Sequence, residues 1–276
     1  MVDSKLISNT FIFLYIFYGV FGIFINTVVV FIIYKTNQIR KRSIRLLAYL
    51  SVVDVFSSIV CISRGVVALY VNTVSCTVLK WGYYLLLLSV YASGYLFSLV
   101  GLDRYLKIKY LEEYEVKFTN KKFIICLVWY IVLVVAQATV GAVCNWDNYI
   151  GYAGKYTTPL NLIEVFVSIF LFVVSTVKLF KYKRSNPSIS VTLKSHIKYT
   201  NIYMVLFFIT QGYSVFYQII LNISTLNSTQ VIILQNFISL VPSITGWINA
   251  IIFLCINGLS RRYLKLLLLP SNRVSS

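Results

Sequence analysis

Long apolar runs separated by short polar gaps recur along the chain. They predict seven spans, at about 11–34, 45–69, 78–103, 123–143, 160–180, 199–221 and 231–257. Each run reaches the roughly 20 helical residues needed to cross a hydrocarbon core ~30 Å thick. Stretches such as Leu85–Leu88 and Val132–Val135 are apolar at every position. A membrane barrel strand would alternate apolar and polar residues, so the runs predict helices. The expected fold class is an all-α membrane protein, a seven-transmembrane helix bundle forming one domain over residues 1–276. Residues 259–269 follow with a different pattern. Arg261, Arg262 and Lys265 can face head groups while Leu264, Leu266, Leu267 and Leu268 dip into the acyl boundary, which predicts a short amphipathic helix stopped by Pro270.

The polar gaps are unequal in charge. The first, third and fifth carry Lys35, Arg40, Lys41, Arg42, Arg45; Lys107, Lys109, Lys117, Lys121, Lys122; and Lys178, Lys181, Lys183, Arg184, Lys194, Lys198. The tail adds Arg261, Arg262, Lys265 and Arg273, whereas the opposite set of segments holds only Lys5, Lys80 and Lys155. Basic loops stay in the cytoplasm. The amino terminus is therefore expected outside, the carboxyl terminus in the cytoplasm, and the chain in the plasma membrane. Asn222 and Asn227 begin N-x-[ST] sequons in the gap expected outside, where glycosylation would occur. The first run is too long for a cleaved signal and precedes a basic loop, so it is expected to be retained.

Composition agrees with lipid as the main solvent. Apolar residues make up 59% and charged residues 12%, against roughly 25% charged in soluble domains. The net charge of +17 is spread over alternate gaps, which argues against a nucleic-acid partner. Cys61, Cys126 and Cys255 fall inside apolar runs and read as small packing residues. The five cysteines and the single His196 form no metal-binding spacing, and no metal or cofactor is expected from them.

Several strings then carry a resemblance. Asp103-Arg104-Tyr105 stands at the end of the third span, Asn26 within Ile25-Asn26-Thr27-Val28-Val29, and Asp54 at the end of Leu50-Ser51-Val52-Val53-Asp54. Trp129 lies in span four, and span seven holds Asn249-Ala250-Ile251-Ile252-Phe253. In this order and at these depths they resemble the rhodopsin-like (class A) G-protein-coupled receptors. Departures lie in spans five to seven. Span five lacks the family's proline; Phe207 matches span six's aromatic, but Gln211 and Tyr213 replace its tryptophan and proline. Ala250 and Phe253 replace the proline and tyrosine of span seven, leaving Pro242 to kink it. The resemblance is therefore to a divergent branch, of the invertebrate chemosensory or orphan kind.

The resemblance implies roles. Asp103, Arg104 and Tyr105 would form the switch that meets a heterotrimeric G protein. Asn26, Asp54, Ser93 and Asn249 would surround a bound sodium ion, or else form a plain polar knot between helices. Cys76 and Cys144 would form a disulfide, two free thiols being the alternative. An unknown extracellular ligand would meet Arg64, Tyr83, Leu86, Glu164, Gln211, Tyr213 and Trp247. Leu86 replaces the aspartate of amine receptors, and Ser243 the retinal lysine, so neither ligand type is expected. Arg64 has a second reading, in which it reaches the outer head groups. Basic loops would also attract anionic membrane lipid. The competing class is a seven-helix transporter or channel, which would be expected to show internal repeats and several deep ionisable groups. An intramembrane enzyme needs paired acids or a Ser/His pair at depth, and the chain offers only Asp54.

Overall fold

The computed structural model describes residues 4–70, 75–110, 113–144, 163, 166–167, 169–178, 180–181 and 228–268, and side chains at most of these. Among them the chain is all-helical. Helix α1 covers Ser4–Lys35, α2 Arg42–Leu69, α3 Cys76–Tyr110, α4 Tyr114–Lys117 and α5 Asn120–Cys144. An apolar helix α6 follows at Ile169–Lys178, then α7 at Ser228–Ile256 and α8 at Gly258–Leu268. The run expected at 199–221 lies outside the described residues, as does most of the ground between 145 and 168.

Among the described residues four helices are long and apolar enough to cross a membrane: Asn9–Lys35, Ile44–Leu69, Cys76–Tyr110 and Asn120–Val143. A fifth is reached by joining Ser243–Ile256 to Gly258–Lys265, which bend 88° apart. These lie over runs read from the sequence. Helix α3 continues seven residues past its expected end at 103. Leu106, Ile108 and Tyr110 stay half-buried there while Lys109 faces out, so the basic gap begins as helix.

Helix α2 is central, packed against α1, α3 and α7; α3 also packs on α5. The α1–α2 approach is close because Gly22 faces Ser58, and a Cβ at 22 would strike the serine hydroxyl. Small residues at such crossings let backbones meet where lipid offers no hydrophobic drive. Helices α3 and α5 are tied by Tyr95 Oη donating to Gln137 Oε1 (2.6 Å) and Tyr130 Oη donating to the Ala92 carbonyl (3.0 Å). Away from these contacts, α1 and α5 show apolar faces. Phe13, Phe17 and Phe21 stack along α1 at 6.0 and 6.5 Å, exposed as lipid-facing rings should be.

The largest core cluster sits at one end. It joins Ile32 and Ile33, Leu46 and Leu50, Leu96, Phe97 and Val100, Phe123, Phe172 and Phe253. The α1–α2 turn, the end of α3, α4, the start of α5 and α8 all meet there. With them come Lys35, Arg42, Lys109, Lys117 and Arg261, making this the basic end. The chain reverses after α1 at Asn37, whose φ of 53° is a left-handed conformation that asparagine tolerates better than most residues.

Candidate functional site

Asp103 and Arg104 are buried at the basic end, near the close of α3. The chain then doubles back through α4, whose first residue Tyr114 donates a short hydrogen bond from its hydroxyl to Asp103 Oδ1. Burial, and then the adjacent Asp103 carboxylate, push the Tyr114 phenol well above its ordinary range, so it stays a neutral donor. Tyr105, next along α3, is half-buried beneath Lys178 of α6. The ammonium stands 4.8 Å from the ring centroid, with Nζ 3.5 Å from the phenol oxygen.

A second arginine holds this corner. Arg42, the first residue of α2, is only 6% exposed. Its guanidinium lies 5.1 Å from the ring centroids of Tyr114 and Phe118 and 5.7 Å from that of Phe123. Nη1 donates to the Phe118 carbonyl, and Nη2 to Asn120 Oδ1 at 3.3 Å. The cation thus joins α2 to both ends of the segment that carries Tyr114. Sequence reasoning counted Arg42 among the topology-setting charges and passed over Tyr114. The available signal was Tyr114, Phe118 and Phe123, aromatics set among the charges of that gap.

Asn257 fixes the other side of the basic end. Its Oδ1 accepts the backbone N–H groups of Leu259 (3.1 Å) and Ser260 (3.2 Å), capping α8, while Nδ2 donates to Gln38 Oε1 at 2.8 Å. The 88° turn is therefore held to the α1–α2 connection.

Deeper in the bundle, Asp54 is 1% exposed. Ser93 Oγ donates to its Oδ1 at 3.1 Å, and Ser58 Oγ donates to its backbone carbonyl at 2.7 Å. Gly246 of α7 lies directly opposite; a Cβ there would come within 2.8 Å of the Asp54 side chain. Asn26 donates to the Gly22 carbonyl at 3.0 Å, and Asn249 is buried one turn from Gly246. The Asn249 amide also approaches the Asp54 carboxylate as a hydrogen-bond donor, while Asn26 Oδ1 and Asn249 Oδ1 are buried oxygens without a hydrogen-bond partner. Hard oxygen donors with a single carboxylate fit a monovalent hard cation. Among the described residues no cluster of His, Cys, Asp and Glu could hold a transition metal.

The expected ligand pocket is only partly brought together. Arg64 of α2 lies 5.5 Å from the Tyr15 ring of α1. Trp247 stacks on Tyr18 at 6.4 Å and meets Phe21 edge-on at 5.6 Å. Both therefore lie against α1, whereas Tyr83 and Leu86 belong to α3, which does not touch α1. Trp129 points outward at 62% exposure. Cys76 begins α3 and Cys144 ends α5, but the Cys144 side chain is not among those described. Glu164, Gln211, Tyr213, Asn222 and Asn227 also lie outside the described residues.

No protein-family model matches the chain, and no curated protein matches it.

Proposed function

We propose that the chain is a divergent rhodopsin-like receptor, a seven-helix plasma-membrane protein that converts ligand binding outside the cell into activation of a heterotrimeric G protein. The observation that carries this reading is the Asp103–Arg104 pair, buried at the basic end with Asp103 held by Tyr114. Burying two ionisable groups beside an otherwise solvated basic surface is costly unless their environment is arranged for them. A charge kept under a loop that can lift is suited to a partner-controlled switch. In this reading the basic end is cytoplasmic, Arg104 is released toward the G protein when Tyr114 leaves Asp103, and Lys178 over Tyr105 links that motion to α6. Asp54, Asn26, Ser93 and Asn249 would hold a sodium ion, whose charge would favour the resting arrangement.

The test is nucleotide exchange on purified G proteins by the chain in lipid nanodiscs. Arg104→Ala should abolish exchange while membrane insertion and folding persist. Equal exchange by parent and variant, with both folded, would end the switch reading. The orientation is tested separately, by antibody access to an amino-terminal tag on intact cells.

A further inference from the structure

Helix α8 leaves α7 at 88° and is fixed in rotation. Ser260 is fully buried, and Tyr263 and Leu264 pack on the core cluster of the basic end. At 3.6 residues per turn these three share one face, and Gly258, Arg261, Arg262 and Lys265 fall on the opposite one. Arg261, Arg262 and Lys265 are all exposed there. The helix cannot turn its cations inward without unpacking the far face.

That outer face borders an open cavity of about 510 Å³, lined by Gly258, Leu259, Arg261, Arg262 and Lys265. Its size lies in the range of roughly 300–1,000 Å³ that small-ligand sites occupy. Gly258 helps to keep it open, since a Cβ built there meets nothing within 4 Å. The N–H groups of Leu259 and Ser260 are already taken by Asn257, so the charge comes from side chains rather than from the helix terminus. The chain holds no acidic residue after Glu164. Among the described residues no carboxylate pairs with the three cations, and Glu113, at the same end, is taken by Lys117 at 3.8 Å.

We propose that this face of α8 binds a lipid head group bearing more than one phosphate, with Arg261, Arg262 and Lys265 as its counter-charge. A singly charged head group would answer one cation of the three, whereas clustered phosphates answer the set. Guanidinium forks bond phosphate oxygens in pairs, and the lysine adds a point charge. Two features favour a lipid-borne phosphate over a free one. Half-exposed Leu259 gives the cavity an apolar edge, and α8 follows at once on a helix apolar enough to cross a membrane, which puts the cavity at head-group level. The inference goes beyond G-protein coupling and rests on the proposed receptor only in placing this end at the cytoplasmic leaflet.

The experiment uses the purified full chain in neutral detergent at about 0.15 M salt, with no G protein present. Binding of a fluorescent phosphatidylinositol 4,5-bisphosphate is followed by anisotropy and displaced with unlabelled competitors. The unlabelled bisphosphate lipid should displace it at a concentration at least about 10-fold below that of phosphatidylserine, and soluble inositol trisphosphate should compete far less well. Arg261→Gln with Lys265→Gln should weaken binding about 25-fold, roughly fivefold per cation. Lys121→Gln with Lys122→Gln removes the same charge from the exposed start of α5 and should stay within about twofold of the parent. Gly258→Leu puts a side chain into the cavity without changing charge and should weaken binding several-fold. The inference is overturned if phosphatidylserine competes equally, or if the two double variants lose binding equally, since a diffuse basic surface would then suffice. Equal competition by free inositol trisphosphate would overturn the lipid assignment. An amino terminus found inside the cell would defeat the receptor's orientation and leave this binding intact. Nucleotide exchange without such binding would defeat this inference alone.

Discussion

Helix α2 carries two inward-turned arginines, and their surroundings are opposite. Arg42 at the basic end has three aromatic rings, a backbone carbonyl and an amide oxygen around it. Arg64, farther along the same helix, has one ring and an Nη1 with no acceptor. The first is tied on several sides from within and therefore acts as a brace. The second is left with donor capacity that the described structure does not use. The same side chain, on the same helix, is caged at one end and lightly held at the other.

The contrast is broken most forcefully at the brace. Arg42→Ala removes charge-assisted hydrogen bonds and ring contacts together, and should cost about 3 kcal/mol. Thermal unfolding in nanodiscs would measure it. The same variant should raise agonist-free exchange several-fold, because Tyr114 loses its support over Asp103. Next in size is Gly246→Ala, which forces a methyl group to within 2.8 Å of the Asp54 side chain. It should cost about 2 kcal/mol by overpacking, and any sodium-dependent gain in unfolding temperature should shrink with it. Tyr114→Phe keeps the ring beneath Arg42 but removes the donor to Asp103. A loss of about 1.5 kcal/mol is expected, with raised basal exchange and ligand binding unchanged. Asn257→Ala uncaps α8 and leaves Gln38 Oε1 without its donor. It should cost about 1 kcal/mol, and hydrogen exchange in Gly258–Leu268 should quicken.

Much of the helical architecture was legible because lipid enforces a simple rule: a spanning segment must be apolar for its length and hydrogen-bonded within itself. The runs at 11–34, 45–69, 78–103 and 123–143 all lie on observed helices. The far end of α3 was less legible. Lys107 and Lys109 looked like loop charges, although Leu106, Ile108 and Tyr110 around them continue a helical face. Asp54 with Ser93 was legible through motif order, and their contact is direct. Tyr114 on Asp103 was not, because it depends on how the chain reverses between α3 and α5. The bracing role of Arg42 was hidden for a related reason. A cation in a basic gap counts toward topology whether it is solvated or caged, and only folding distinguishes the two. Trp247, a candidate ligand contact in the sequence, packs against Tyr18 and Phe21 of α1, a partner set by helical rotation that the sequence does not show.

The most direct measurement compares Arg42→Met with Arg64→Met, unfolded side by side in the same ligand-free nanodiscs. Methionine keeps the apolar stem and removes the cation in each. Arg42→Met should unfold well below the parent, by an amount matching about 3 kcal/mol, while Arg64→Met should match the parent or exceed it. Equal losses at the two positions, or the larger loss at Arg64, would contradict the division of α2 into a braced end and a lightly held end.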